Sequence, residues 1–167
     1  MKSISVLAAI AAITCLSACG GESPAAANHG DDPLPNGMTV KQQIEARQKN
    51  LKDLGAAMKT VGDQMKSGAP SLDEIRPAVQ TMKTHAAEIG NWFPAGTGPE
   101  SGIKTEALSK IWEDQAGFQA AAQKLGEEAN KLSDVVTGDD LAAIGAQVGV
   151  TGGACKNCHD NFRQKKE

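Results

Sequence analysis

Cys155-Lys156-Asn157-Cys158-His159 is the stretch that decides how this chain is read. Two thiols separated by two residues and followed at once by a histidine form the attachment signature of a c-type haem. Each cysteine sulfur can close a thioether on a haem vinyl carbon, and the adjoining imidazole can bind the iron. On a helix, Cys155, Cys158 and His159 fall at i, i+3 and i+4, so all three project from one face. The competing readings ask for more than the chain offers. A zinc site needs further Cys or His ligands at suitable spacing, and only His85 and His29 are at hand. A thioredoxin-like thiol pair opens a helix in a βαβ unit, and no strand pattern accompanies this one. Eight residues follow His159, so whatever covers the opposite side of the haem is expected from earlier in the sequence.

Outward from the motif, Leu141, Ile144 and Val148 precede Cys155, His159 and Phe162 on one stripe of a helix that Thr137 or Asp139 can cap. The haem side of this helix is therefore its core side. Gly149, Gly152 and Gly153 are expected to weaken the helix just before the motif and to let the macrocycle approach the backbone. Asp160, Arg163, Lys165 and Lys166 should project from its last two turns. Arg163, at i+4 from His159, reaches back toward the proximal side of the haem.

Three more helices can be read upstream. One spans about 114–136, with Phe118, Ala122, Leu125, Ala129, Leu132 and Val136 at the spacing of a bundle seam and Ile111-Trp112 leading in. Before it, Trp92-Phe93-Pro94 and the Pro/Gly-rich residues to Gly102 suggest an apolar lid followed by turns. Another helix follows Pro70, with a Ser71/Glu74 capping box and Leu72, Ile75, Val79, Met82, Ala86 and Ile89 on its stripe. Pro77 should kink it or delay its regular part. His85 flanks that stripe and reads as a partly buried structural histidine rather than a second iron ligand. The first helix runs from about Thr39 to Ser67, and its stripe is Val40, Ile44, Leu51, Leu54, Met58, Val61 and Met65. Arg47 interrupts that stripe. Its stem can lie on the apolar face while the guanidinium reaches water, or the guanidinium can pair with a haem propionate; the pattern leaves both open.

The 167 residues are rich in alanine, lack tyrosine and have few β-branched runs, which favours one all-helical domain. The formal net charge of −3, or −4 without residues 1–18, argues against nucleic acid as a partner. Residues 1–18 read as an export signal: Lys2 supplies the basic start, and Val6–Ile13 is an apolar run too short to span a membrane. The run ends in Leu16-Ser17-Ala18-Cys19, which resembles a bacterial lipobox. That resemblance implies cleavage before Cys19 and acylation of it, with several acyl chains giving a stable anchor. Gly20 lacks the acidic character that favours inner-membrane retention, so the outer membrane is preferred. Residues 19–37 then form an acylated, flexible tether, GGESPAAANHGDDPLPNG after the cysteine, with a reach of roughly 20–25 Å. His29 within it is read as solvated.

Residues 38–167 resemble the cytochrome c′ family of class II cytochromes c, on the strength of ARQKNLK, WFPAGTGPESGIKTEALSKIW and the C-terminal CKNCHDNFR. The resemblance implies an antiparallel four-helix bundle with one covalent haem c, commonly a homodimer through the first two helices. It makes His159 the iron ligand and Arg163 the proximal arginine. Arg47 and Gln48 become haem contacts on the first helix, with Thr105 and Glu106 at the haem edge. Leu51 falls on the distal position where six-coordinate relatives carry methionine, so this chain resembles the five-coordinate branch. The family implies binding of nitric oxide and carbon monoxide, with a part in nitric oxide tolerance.

Two function classes follow. A gas binder needs a vacant apolar iron face, which Leu51 favours. An electron-transfer cytochrome facing the periplasm, with redox partner proteins, is the alternative and calls for two strong axial ligands and an exposed haem edge. Peroxidase or oxygenase chemistry asks for distal polar groups that steer protons, and near Leu51 the first helix supplies only Arg47, one turn away. No enzymatic activity is expected.

Overall fold

Thr39 and Gln42 start the first long helix by satisfying each other's backbone. The Thr39 N–H donates to Gln42 Oε1 at 2.8 Å and the Gln42 N–H to Thr39 Oγ1 at 3.2 Å, a reciprocal cap. From there α1 runs Val40–Lys66. The computed structural model describes residues 29–165; the expected signal sequence, Cys19 and Lys166 lie outside the described residues. α2 spans Leu72–Glu88, α3 is a short helix at Lys110–Glu113, and α4 covers Gln115–Val135. α5, Leu141–Phe162, carries the CxxCH motif in its last two turns. α1 packs on α2 and α5, and α4 packs on the same two, closing the expected four-helix bundle. Among the described residues, pairing of extended chain is limited to the isolated bridges Pro33–Thr39 and Ala107–Arg163.

The helix starts differ in detail from the sequence reading. The Ser71/Glu74 box does not form, because Gln64 at the end of α1 takes both groups: its Oε1 accepts the Ser71 N–H at 2.9 Å and its Nε2 donates to Glu74. α5 is capped by Asp140, which accepts from the Ala142 and Ala143 N–H groups at 2.9 and 3.0 Å. The two expected caps are engaged elsewhere, Thr137 on the Asp134 carbonyl and Asp139 on Arg76. α2 is neither delayed nor ended by Pro77. Asp73, whose carbonyl loses its partner there, and Pro77 both face solvent.

The stripes fall as read except on α5, where His159 is exposed. Leu141 stays 37% exposed, and the buried place goes to Thr151, whose hydroxyl donates to the Gln147 carbonyl at 2.9 Å. Gly149, Gly152 and Gly153 do not interrupt the helix, which is continuous. Gly152 instead lets α1 come close, since a Cβ there would lie 3.2 Å from the Met58 methyl.

The core divides along the bundle axis. Away from the motif, Val61, Ile75, Val79, Met82, Leu132 and Ile144 form a sealed cluster. Nearer the motif, Leu54, Ile89, Ile111, Phe118, Leu125 and Phe162 form a second cluster, against which Leu51, Phe93, Cys155 and Cys158 are half-buried. Trp92 and Phe93 cover this end as anticipated. Trp112, Phe93, Phe118 and Phe162 follow one another edge to face, with successive ring centroids 6.2, 4.9 and 5.5 Å apart.

Residues 29–37, assigned above to the tether, are folded. They double back through a turn at Gly37 (φ 82°), where a residue with a side chain would be strained. The Val40 N–H donates to the Asp32 carbonyl and the Lys41 N–H to the Gly30 carbonyl, while the His29 N–H reaches the Ser101 carbonyl. Composition suggested disorder; six backbone groups paired in this way make a hook instead. His29 is exposed and pairs with Asp32 at 2.9 Å.

Candidate functional site

The half-buried side chains at the motif end enclose a cavity of about 630 Å³, within the ordinary range of cofactor sites, roughly 300–1,000 Å³. α5 contributes Cys155, Cys158, His159 and Phe162 to its wall; α1 contributes Arg47, Gln48, Leu51, Leu54 and Met58. The segment after the Pro/Gly-rich loop adds Lys104, Thr105 and Glu106. Chain pairing brings that segment to the motif: the Leu108 N–H donates to the Phe162 carbonyl at 3.0 Å, and the Gln164 N–H to the Glu106 carbonyl at 2.7 Å. All nine expected haem-site residues of the described chain therefore share one cavity. His85 is not part of it; its ring packs edge-on to Trp92 at 5.9 Å.

Burial raises both thiols, Cys158 to about 11 with a further push from Cys155, so both are neutral at neutral pH. Burial, then the charge of Arg163, lowers the His159 imidazole, leaving it neutral with a lone pair to give. Arg163 does not act from a helical i+4 position. α5 ends at Phe162, and Arg163 is extended (φ −118°, ψ 140°), bridged to Ala107, yet it still lines the cavity.

The structure excludes one of the two readings left open for Arg47 by its place on the stripe. It is 1% exposed, so its guanidinium does not snorkel to water. Nη1 donates to Thr97 Oγ1 at 2.8 Å and Nη2 to Thr105 Oγ1 at 2.9 Å. The Phe93 and Trp112 ring centroids lie 4.7 and 5.8 Å from its Cζ, within cation–π reach. Burial lowers its pKa to about 10, opposed by the charge of Glu100. No carboxylate is within ion-pair distance of it among the described residues. A buried cation on an apolar cavity without a carboxylate partner is costly unless the cavity's occupant supplies an anion. Haem fits these residues: apolar walls for the macrocycle, paired thiols and an imidazole on one face, and a cation for a carboxylate. Gln48 is spent differently, its Nε2 donating to the Lys104 carbonyl at 2.9 Å.

Two groups escaped the sequence reading. Thr97 is fully buried in a loop whose composition signalled only turns. Glu128, 2% exposed, accepts from Lys124 and Lys131 at 2.7 and 2.9 Å and from Gln147 at 2.7 Å, tying α4 to α5. Its lysines at i−4 and i+3 were a readable signal.

The bundle and its motif-bearing last helix define a helical c-type haem protein. A sequence model described as Cytochrome C′ matches residues 42–163, and the chain belongs to the cytochrome c′ family. Cytochrome c′ of Rhodospirillum rubrum is 31% identical over 98% of this chain and 99% of that protein. Cytochrome c′ of Rubrivivax gelatinosus is 49% identical over 70 residues, 42% of this chain and 54% of that protein. A crystal structure of cytochrome c′ from that organism superposes with a TM-score of 0.69 at 33% identity, covering 75% of this chain and 97% of the other. A nitric oxide complex of a cytochrome c prime mutant from Alcaligenes xylosoxidans gives 0.68 at 28% identity, over 76% and 97%. The family's cofactor is a covalent c-type haem, and this chain's paired thiols match it.

Proposed function

We infer that the protein binds nitric oxide and carbon monoxide at a five-coordinate haem iron and serves nitric oxide binding and tolerance. When bound, the haem supplies an iron with one coordination position open to a diatomic gas. Cys155 and Cys158 hold the group through thioethers, and the neutral His159 imidazole gives the protein's single iron ligand. Arg47 fixes a propionate, with Thr105 bracing its guanidinium. Leu51 carries the reading: it lies on the cavity wall, has no lone pair to offer a metal, and excludes water. Leu51 itself offers no hydrogen-bond donor, while Arg47 is held toward the haem edge by two threonines and Gln48 spends one amide N–H on a carbonyl. Dioxygen depends on such a donor far more than carbon monoxide or nitric oxide do, so the pocket discriminates by omission. The solved nitric oxide complex of the Alcaligenes xylosoxidans relative supports the same ligand class. Leu51, the residue read over the iron, moves no protons, so the site suits binding rather than turnover.

Electron transfer is the second reading, favoured by one observation. Met58 places a thioether on the cavity wall, the kind of ligand that makes a six-coordinate carrier. Electronic absorption of the ferric, ferrous and gas-treated protein separates the two. Five-coordinate ferrous iron that takes up carbon monoxide supports gas binding; a six-coordinate spectrum that ignores it supports electron transfer.

We also propose that the chain is an exported lipoprotein anchored through acylated Cys19, in the outer membrane, with the haem domain in the periplasm. Support comes from the lipobox-like Leu16–Cys19 and Gly20. Mass spectrometry of the native N-terminus tests it, and an unmodified Cys19 rejects it. The homodimer through α1 and α2 rests on family resemblance, and sedimentation measures it.

A further inference from the structure

Arg47 is steered by residues that do not touch the cavity. Thr97 is 0% exposed. Its one hydroxyl proton goes to the Pro94 carbonyl at 2.8 Å, and its oxygen accepts from Arg47 Nη1 at 2.8 Å. The directions are unambiguous, since a carbonyl only accepts and a guanidinium only donates. The same Pro94 carbonyl accepts the Trp112 Nε1–H at 3.0 Å, so one oxygen orients both an acceptor of the cation and one ring beside it. The loop that carries Pro94 and Thr97 is held in turn by Gln43, 5% exposed and one turn before Arg47 on α1. Gln43 Nε2 donates to the Trp92 carbonyl at 3.1 Å, and its Oε1 accepts from Asn36 Nδ2 at 2.9 Å. Beyond Thr97, the His29 N–H holds the Ser101 carbonyl.

We propose that Thr97 and Gln43 are positioning residues that aim Arg47 at the haem edge, with Asn36 of the N-terminal hook completing the support. The proposal rests on the reading of Arg47 as the partner of a haem propionate. A guanidinium held at two hydroxyl oxygens and beside two rings cannot follow the macrocycle; its distance from it is set by the loop. The field at the haem edge is then set by the loop as well, and the hook that leads back toward Cys19 is tied to the same cation. A merely structural loop would change unfolding and leave the reduction potential alone.

The test measures the reduction potential of the full-length haem-loaded protein as Thr97→Val, Thr97→Ser, Arg47→Leu and the Arg47→Leu/Thr97→Val double variant. Valine keeps the volume of threonine and removes the acceptor. Thr97→Val should lower the potential, because a cation that drifts from the haem favours the reduced state less. Thr97→Ser should restore it, and Thr97→Val should add no shift once Arg47 is leucine. A potential unmoved by Thr97→Val but lowered by Arg47→Leu overturns the proposal, as does a Thr97→Val shift that persists undiminished without Arg47. An unmoved potential in Arg47→Leu alone removes the propionate reading and the proposal with it, and is seen in that single variant. Gln43→Leu, read against Arg47→Leu in the same way, replaces Thr97→Val should that protein not accumulate.

Discussion

At the end of the bundle away from the motif, Val61, Ile75, Leu132 and Ile144 are sealed to 0% exposure. At the motif end, side chains from α1, α4 and α5, joined by Ile89, Phe93, Ile111 and residues 104–107, line a 630 Å³ cavity. Both ends continue the same apolar stripes, so hydrophobic patterning does not distinguish them. The difference lies in what meets across the bundle. At the sealed end each stripe finds another stripe; at the open end α1 and α5 face one cavity, with Leu51 and Arg47 on its wall from α1 and Cys155 and Cys158 from α5. On the proposed reading, the covalent macrocycle takes the place there of the side chains that complete the core elsewhere. One end is built for stability and the other for a ligand.

The largest effect belongs to the open end. Changing Cys155 and Cys158 together to Ser should abolish covalent haem, read by haem staining after denaturing electrophoresis; staining that persists would contradict the attachment chemistry. The next prediction sets the ends against each other. Leu132→Ala at the sealed end should cost about 2–5 kcal/mol in urea unfolding. Leu51→Ala should instead act on the site, raising carbon monoxide affinity by relieving crowding, which Leu132→Ala should leave unchanged. Equal effects on that affinity would erase the contrast.

A third prediction concerns the tie between α4 and α5. Hydrogen bonds from Lys124, Lys131 and Gln147 hold the Glu128 carboxyl at about 2, below its usual 4.5. Its contribution to stability is therefore complete above the unfolded value and is lost as pH falls through the folded one. The unmodified protein should lose stability across that acid window. Glu128→Gln should start less stable at neutral pH and fall less steeply, as urea midpoints at several pH values would show. Smallest is the cap at the sealed end, where Asp140→Ala should cost about 0.5–2 kcal/mol and leave the haem spectrum unchanged.

The four long helices were legible through periodicity, and Cys155, Cys158 and His159 through a motif with a chemical reason; Gln48, Thr105, Glu106 and the distal place of Leu51 came only from the family resemblance. Arg47 was half legible: its place on the stripe showed that it was unusual, and its partners in the loop showed why. The hook at residues 29–37 could not be seen, because its order comes from backbone pairing with Ser101 and the start of α1, not from its composition. Thr97 was hidden for the same reason. The Ser71 box and the Thr137 or Asp139 cap failed where a neighbouring helix supplied a competing partner, as Gln64 and Arg76 do. Local signals name the candidates, and tertiary contacts choose among them.

The central claim is that Leu51 leaves the iron of the open end with His159 as its one protein ligand. Absorption of the reduced protein before and after carbon monoxide measures this directly. The account predicts a high-spin, five-coordinate ferrous spectrum that converts on adding the gas. A low-spin, six-coordinate ferrous spectrum that carbon monoxide does not change would contradict it and place Met58, not Leu51, at the centre of the protein's function.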